Sequence, residues 1–447
     1  MSSNFIERPR YVCSLGGAAA TVTALPGAIP ILHSASGCAG NFAWTQNGGS
    51  GLQVGGYCGS LTVPSSNVQE QEVVFGGADR LSEQIRNTRR VIDGELFVVL
   101  TGCVTEVIGD DIRSVVHEFR NDGLAIVGAE TGGFKGTSYY GYDLVLQALF
   151  RDYVTKGTAK EQGLVNLWGI VPYMDPFWRG NLEGVRRLLE SIGLRVNSFF
   201  TTADNLHGLR DAAGAVLNII VSDVYGVEAA QVFEEVHGVP YLSLPLPVGP
   251  SASDLFLRTV ADRLGLDQGR VETVIGAEND RYYRYLEPLT DCYNDLDLQR
   301  YAVVVGDANY APALTRFLAD DLGWLPELAV CTDQLGEEEQ ERIARQVGVL
   351  ESGVVTTLVF ETDGSEVLGH LNRSRPRYGG QKYFNAFSPA FVLGSSLERE
   401  LAQSLGAAHL SVSFPVANRA VLDRGYTGYS GGLRLTEDLL SAVVAGR

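Results

Sequence analysis

Short β-branched runs alternate with longer amphipathic stretches along almost the whole chain, and this alternation limits the fold more than any other feature. Runs at 95–101, 124–127, 164–170, 217–221, 301–305, 328–331, 356–360, 390–393 and 410–414 read as buried strands. Between them, 184–192, 226–237, 254–264, 311–320 and 336–347 repeat apolar residues at three- and four-residue spacing and read as helices. Strand, helix, strand in succession is the pattern of parallel sheets covered by helices, an α/β fold. The strands fall into three groups, and 447 residues exceed what one compact core accommodates. The expectation is three domains, each a mainly parallel sheet flanked by helices: 1–160, 161–295 and 296–447. The breaks fall in the polar Lys156–Gly163 stretch and in the charged 291–300 segment. Gly-rich 48–56 reads as a closely packed loop, and a last helix at 436–445 follows the Gly- and Tyr-rich 425–432.

Lys and Arg number 35 against 53 Asp and Glu, a net charge of −18 that disfavours nucleic acid or an anionic membrane as partner. There is no run of 18 apolar residues, so no membrane span is expected. The opening Met-Ser-Ser-Asn-Phe-Ile-Glu-Arg-Pro-Arg has no apolar core of a signal peptide, which points to a reducing, cytoplasmic location. In that setting cysteines read as metal or catalytic groups before disulfides. Six are present, and Cys13, Cys38, Cys58 and Cys103 crowd into the first quarter.

Cys13 opens Cys-Ser-Leu-Gly-Gly-Ala, Cys38 closes His33-Ser-Ala-Ser-Gly-Cys, and Cys103 follows the strand at 95–101. All three fall on turns at element ends, where a rigid scaffold can aim a thiolate outward and backbone N–H groups can donate to sulfur. Iron–sulfur clusters use such ligands, and small neighbours let the backbone approach them. Three is one short of the usual four, which suggests a ligand from another chain. Spacing alone leaves inert core thiols open, since free cysteine is often buried and no CxxC pair occurs. Tetrahedral zinc is disfavoured for the same reason. Cys58 reads as a further ligand or as loop packing, and Cys292 and Cys331 as structural. Glu106, Asp110 and Asp111, close to Cys103, read as tuning or docking residues or as a solvated helix start. Val303-Val-Val-Gly-Asp-Ala-Asn309 reads as a strand end that either lines a crevice or is plain structure.

These motifs together resemble the catalytic component of nitrogenase and its relatives. The resemblance is carried by Cys13-Ser-Leu-Gly-Gly-Ala, His33 to Cys38, Val74-Phe-Gly-Gly77 and above all Thr101-Gly-Cys103-Val-Thr-Glu-Val-Ile-Gly-Asp-Asp111. It extends through Thr131-Gly-Gly-Phe-Lys-Gly136, Gly141-Tyr-Asp143, Pro245-Leu-Pro-Val-Gly249 and Phe414-Pro415 to Gly428-Tyr429, nearly the whole chain. It implies an α2β2 heterotetramer of three-domain α/β subunits. It also implies a P-cluster-type 8Fe-7S iron–sulfur cluster shared at the α–β interface, a larger iron–sulfur cofactor in the α-type partner only, and an ATP-dependent iron–sulfur reductase homodimer that docks transiently. Carried over, the cluster ligands of this chain are Cys13, Cys38 and Cys103.

The α-type chains bind their cofactor through a Cys in the second domain and a His near the C-terminus. Here 218–221 runs into Ser222-Asp-Val-Tyr, and 424–432 contains no His, so the chain resembles the β type. It departs from nitrogenase β chains in having Cys13-Ser-Leu where those have Cys-Gln-Pro. It also has Gly133 where they often carry a serine that can ligate the cluster. The resemblance therefore implies a divergent reductase that relays electrons for methylthio-alkane C–S bond reduction. The alternatives are a dinitrogen-reducing β subunit and a cofactor-assembly scaffold. No Walker A motif is present, so ATP hydrolysis belongs to the reductase.

Overall fold

The computed structural model of the chain describes residues 6–52, 63–295, 301–374 and 391–445. Its strands form three sheets, and every strand pairing in them is parallel. The first contains β1 (Ala28–His33), β2 (Leu96–Thr101) and β3 (Ile126–Ala129) in that order. The second contains β4 (Leu164–Trp168), β5 (Arg195–Asn197), β6 (Leu217–Ile220) and β7 (Tyr241–Ser243), ordered β5-β4-β6-β7. The third contains β8 (Tyr301–Gly306), β9 (Leu325–Cys331), β10 (Thr357–Phe360), β11 (Phe391–Gly394) and β12 (Ala408–Ser411), ordered β10-β9-β8-β11-β12. Around the first sheet run α1 (Ser14–Ala24), α2 (Ser36–Gly49), α3 (Glu70–Phe75), α4 (Ala78–Val91), α5 (Cys103–Val107), α6 (Ile112–Asn121) and α7 (Ser138–Asp152). Then follow α8 (Trp178–Ser191), α9 (Leu206–Arg210), α10 (Val227–His237), α11 (Gly249–Leu264), α12 (Gln268–Leu286) and α13 (Leu289–Asp295). The third sheet is accompanied by α14 (Tyr310–Arg316), α15 (Glu337–Gly348), α16 (Val367–Ser374), α17 (Arg399–Leu405) and α18 (Gly428–Ala445).

The central strands are buried and largely apolar because helices cover both sheet faces. In β2 all six residues are buried, and they divide by the period of two. Leu96, Val98 and Leu100 enter the main core, whereas Phe97 and Val99 enter a smaller cluster under α4 and α6. In β8, Ala302 and Val304 join the main core, and Val303 and Val305 join a satellite under α16 and α17. That main core includes residues of all three sheets, so the units share one continuous apolar interior. The centre of the second sheet carries an asparagine ladder. Asn166 Nδ2 donates to Asn218 Oδ1 (2.8 Å) and Ala212 O (2.9 Å), and Asn197 Nδ2 donates to Asn166 Oδ1 (3.1 Å). Register places Asn197, Asn166 and Asn218 side by side on β5, β4 and β6.

Two features position the first helix. A methyl group at Gly17 would lie 2.6 Å from Ser138 Cα, and one at Gly141 would lie 2.8 Å from Ala18 N, so α1 and α7 pack backbone to backbone. The segment before α1 is strapped to the third unit. Glu7 N donates to Asp363 Oδ2 (2.8 Å), Arg8 pairs with Glu400 (2.8 Å), and buried Arg10 forms a two-pronged ion pair with Glu398 while Nη1 reaches Ser395 Oγ (2.9 Å).

The strands expected from the sequence are present with shifted ends, most visibly β3 and β12. Three further strands carry no clear signal. β1 contains Pro30, which its edge position tolerates, and β5 and β7 are three residues long. The glycines at 48 and 49 close α2 and do not form a loop; Gly49 and Gly51 then pack on Phe414 and Val421. The last helix starts at Gly428, earlier than expected, because Gly431 and Gly432 let its first turn lie against Tyr426 and Gly249. Among the described residues no helix is long and apolar enough to cross a membrane.

Candidate metal centre

Cys13 is the N-cap of α1, Cys38 lies in the first turn of α2, and Cys103 is the first residue of α5. All three are exposed free thiols at helix starts, where backbone N–H groups are unpaired by the helix itself. Gly133 joins two of them: a methyl group there would be 3.1 Å from the Sγ of Cys13 and 3.1 Å from the Sγ of Cys103. Cys13 and Cys38 in turn line one small cavity of about 90 Å³, floored by Leu15, Gly16, Ala19 and Leu32. The three sequence-predicted residues are therefore brought to one face, with Cys13 between the others. Among the described residues no three His, Cys, Asp or Glu side chains converge closely enough to hold a single metal ion. Cys58 lies outside the described residues. Cys331 ends β9 in the core with its thiol pushed well up by burial, and Cys292 is half-buried on α13.

The turns that carry the thiols are locked to each other by the remaining motif residues. The carbonyl of His33 accepts from Gly102 N (2.9 Å) and Thr105 Oγ1 (2.8 Å), fixing the Cys103 turn to the end of β1. The His33 ring is buried. Nε2 lies 2.9 Å from Asp110 Oδ2, and Nδ1 lies 3.0 Å from Ser66 Oγ. Burial pushes the imidazole below its ordinary range, against the pull of Asp110, so the neutral ring donates from Nε2 and accepts at Nδ1. Asp110 Oδ1 accepts from Gly77 N (2.8 Å), and a methyl group at Gly77 would crowd Asp110 Oδ2 to 2.6 Å. This explains why Val74-Phe-Gly-Gly77 ends in glycine.

A second lock holds the Gly133 loop. Glu106 Oε1 accepts from Thr101 Oγ1 (2.5 Å) and Gly132 N (2.5 Å), and Lys135 Nζ reaches Glu106 Oε2 (2.9 Å). Thr131 donates twice to Thr101, from N to Oγ1 (2.9 Å) and from Oγ1 to O (3.0 Å), and Ser14 Oγ donates to Gly132 O (2.7 Å). Cys13 itself is bridged to Thr137. Glu106 and Asp110 are thus positioning residues, while Asp111 caps α6 by accepting from Ser114 N (3.0 Å). The apolar side chains of Val74, Phe75, Val104, Val107 and Phe134 stand exposed around the same face, as at a surface that another protein covers.

A second polar cluster, less visible in sequence, lies where the second and third sheets meet. Asp307 follows β8 and Asp333 follows β9; both are buried, as is Asp175. The Val303–Asn309 motif marked the first of them. The same strand-then-Asp pattern in Cys331-Thr-Asp333 marks the second. His409 is in β12, its ring donating to Ser395 O (2.9 Å).

A family model described as Nitrogenase component 1 type Oxidoreductase matches residues 13–444. The chain is 24% identical over 412 residues to the nitrogenase molybdenum-iron protein beta chain of Sinorhizobium fredii, covering 85% of this chain and 74% of that one. It is 28% identical over 345 residues to the nitrogenase iron-molybdenum cofactor biosynthesis protein NifE of a Nostoc species, covering 75% and 68%. With the molybdenum-iron protein beta chain of Azotobacter vinelandii it shares 22% over 466 residues, covering 98% and 84%. A solved structure of nitrogenase Cp1 at pH 6.5 superposes with a TM-score of 0.82 at 17% identity, covering 100% of this chain and 94% of that one, a likeness of fold.

Proposed function

The chain belongs to the nitrogenase component 1 type oxidoreductases, and from that premise we propose that it is the β-type subunit of a two-component reductase. In this reading it joins an α-type subunit in a cytoplasmic α2β2 heterotetramer and shares with it a P-cluster-type 8Fe-7S cluster. In this reading it has three domains, divided near 160 and 295, which the grouping of its strands into three sheets supports. The observation that carries the reading is the convergence of Cys13, Cys38 and Cys103 on one exposed face, with the bare Cα of Gly133 between two of the sulfurs. The residues fit such a group: three thiols at helix starts, no Cβ in the way, and an apolar rim for a partner that brings the remaining ligands.

A bound iron–sulfur cluster supplies one-electron storage and transfer. This chain's residues do the rest. The three thiolates bind; the His33–Asp110 and Thr101–Glu106–Lys135 locks keep the thiol-bearing turns in register; Gly133 admits close approach. Electrons come from an ATP-dependent iron–sulfur reductase homodimer and pass to a cofactor in the partner. Ser222 and its neighbours offer no cysteine, and the 424–432 stretch offers no histidine, which supports leaving that cofactor to the α-type chain. Gly133 and the Cys13-Ser-Leu motif, both departures from dinitrogen-reducing β chains, support a divergent reductase, and methylthio-alkane C–S bond reduction is the overall reaction that the resemblance implies.

The test is anaerobic co-purification with the α-type partner. Roughly eight irons per αβ pair are expected at this site, with Cys103→Ala losing them while the subunits still associate. An iron-free pair with unchanged activity refutes the reading. A second reading, a cofactor-assembly scaffold, is favoured by the 28% identity to NifE. It predicts a complex that carries a cluster and passes it to an acceptor without turning over substrate.

A further inference from the structure

The order of strand addition reverses between β4 and β6 in the second sheet and between β8 and β11 in the third. In open α/β sheets the crevice outside the carboxyl ends at such a reversal is the usual ligand position. Here Asn309 spans the first of these points, its Nδ2 reaching the carbonyls of Gly169 (3.1 Å) and Val221 (3.4 Å) just past β4 and β6. Two carboxylates are buried beside it. Asp307 Oδ1 accepts from Asn309 N (2.9 Å) and Tyr310 N (2.8 Å). Asp333 Oδ2 accepts from Ala308 N (2.7 Å) and from the hydroxyl of Tyr225. A third carboxylate, Asp175, accepts from Tyr310 OH (2.9 Å), Asn181 Nδ2 (2.8 Å) and Phe177 N (2.8 Å).

The charge count does not balance. The ionisable groups around the pair include the acids Asp175, Glu339, Tyr11, Tyr139, Tyr225, Tyr310 and Cys331; the cations are Arg10, Lys135, which is paired with Glu106, and Arg342, which lines the adjoining cleft together with Glu337, Glu338 and Glu339. Arg10 is already matched by Glu398. Buried carboxylates without a counter-charge resolve the cost by binding a proton, and two that share a site hold one between them. Burial, with each other's charge added for Asp307, pushes both upward, Asp333 to about 6. The pair is also reachable. A cleft of about 1050 Å³ between the starts of α7, α10 and α15 is lined by Asp333, Tyr225, Tyr139, Thr137 and Lys135. Tyr139 stacks on Tyr225 at 4.4 Å, and Thr137 is the bridge partner of Cys13. One cleft therefore touches both Asp333 of the pair and the segment that holds a thiol.

We propose that Asp307 and Asp333 form a proton-holding pair that exchanges one proton with water through this cleft as the charge of the cysteine face changes, a coupling that rests on the electron-relay reading above. When that face gains an electron from the reductase, the pair takes one proton from cleft water. When the electron leaves, the proton returns.

Infrared spectroscopy of the anaerobic αβ complex tests this. A protonated-carboxyl C=O band that shifts in D2O should be present near pH 7, disappear in Asp307→Asn, and change in the reduced-minus-oxidised difference spectrum of the wild type only. Tyr225→Phe, which leaves the carboxylates in place, removes a donor to the charged form. It should raise the pH midpoint of the band by on the order of one unit. A wild-type complex without the band, an unmoved midpoint in Tyr225→Phe, or an iron-loaded complex whose band ignores reduction overturns the proposal. A complex without iron counts against the electron-relay reading instead, and the pH titration of the band still decides the proton-holding pair.

Discussion

Gly17→Ala tests whether the backbone contact of α1 with α7 sets the position of Cys13. The added methyl would lie 2.6 Å from Ser138 Cα, whereas carbon pairs settle at about 3.5–4.0 Å, so the helices must part by roughly 1 Å. No flexible side chain lies there to yield, because the contact is with backbone. Gly17 N donates to Cys13 O (3.2 Å), so the first turn of α1 transmits the displacement to the thiol. Metal sites tolerate ligand shifts of only about 0.2 Å. Overpacking costs about 1–3 kcal/mol, and the helix preference of Ala over Gly returns up to about 1; for a contact with unyielding backbone the cost lies at the upper end, leaving a net loss of roughly 2 kcal/mol. The control is Gly276→Ala in α12, where nothing lies within 4 Å of the new methyl and only the helix preference acts. Urea midpoints should move down for Gly17→Ala and up for Gly276→Ala, and iron per αβ pair should fall only in the first. Equal midpoints with full iron in Gly17→Ala would refute the argument.

Two further outcomes are expected in the second and third units. Asp321 accepts from Ser251 N (3.1 Å) and Ser251 Oγ (2.5 Å), and burial raises its carboxyl to about 7, so the folded chain binds more protons than the unfolded one between about pH 4 and 7. Stability contributed by this group falls as pH rises through that window, by at most about 1.4 kcal/mol per pH unit. Asp321→Asn should therefore lose less relative to wild type at pH 8 than at pH 5, and a pH-independent difference in urea midpoint would contradict this. In the asparagine ladder, Asn166→Leu takes one partner from the buried amide of Asn218 and one from the half-buried amide of Asn197, for an expected loss of about 1–3 kcal/mol in equilibrium unfolding; an unchanged midpoint would show that the ladder contributes nothing net.

The parallel-sheet architecture was legible because the central strands are buried on both faces and read as unbroken apolar runs. The edge strands were not. β1 carries a proline, and β5 and β7 are set by register with β4 and β6 more than by their own composition. The cysteine face was legible one residue at a time: each thiol sits on a turn at an element end. What joins the thiols is long-range and leaves little local trace. Gly133 is marked in the sequence only by the resemblance, and its local sequence does not show that the fold places it against Cys13 and Cys103. Glu106 and Asp110 resembled surface charges of a helix start, yet their partners are Gly132, Lys135, Gly77 and His33, up to 77 residues away in sequence. The small-residue run of α1 suggested close approach to something. That it is the backbone of α7 follows only from three-dimensional packing.

The strap at the start of the chain gives Cys13 two masters. Arg10 is anchored in the third unit by Glu398 and Ser395, and three residues later Cys13 is pinned to the first by Thr137. Three residues span at most about 11 Å, so the tether has almost no slack. Of the three thiols, Cys13 is therefore the one whose main chain is joined within three residues to the third unit as well as to the first.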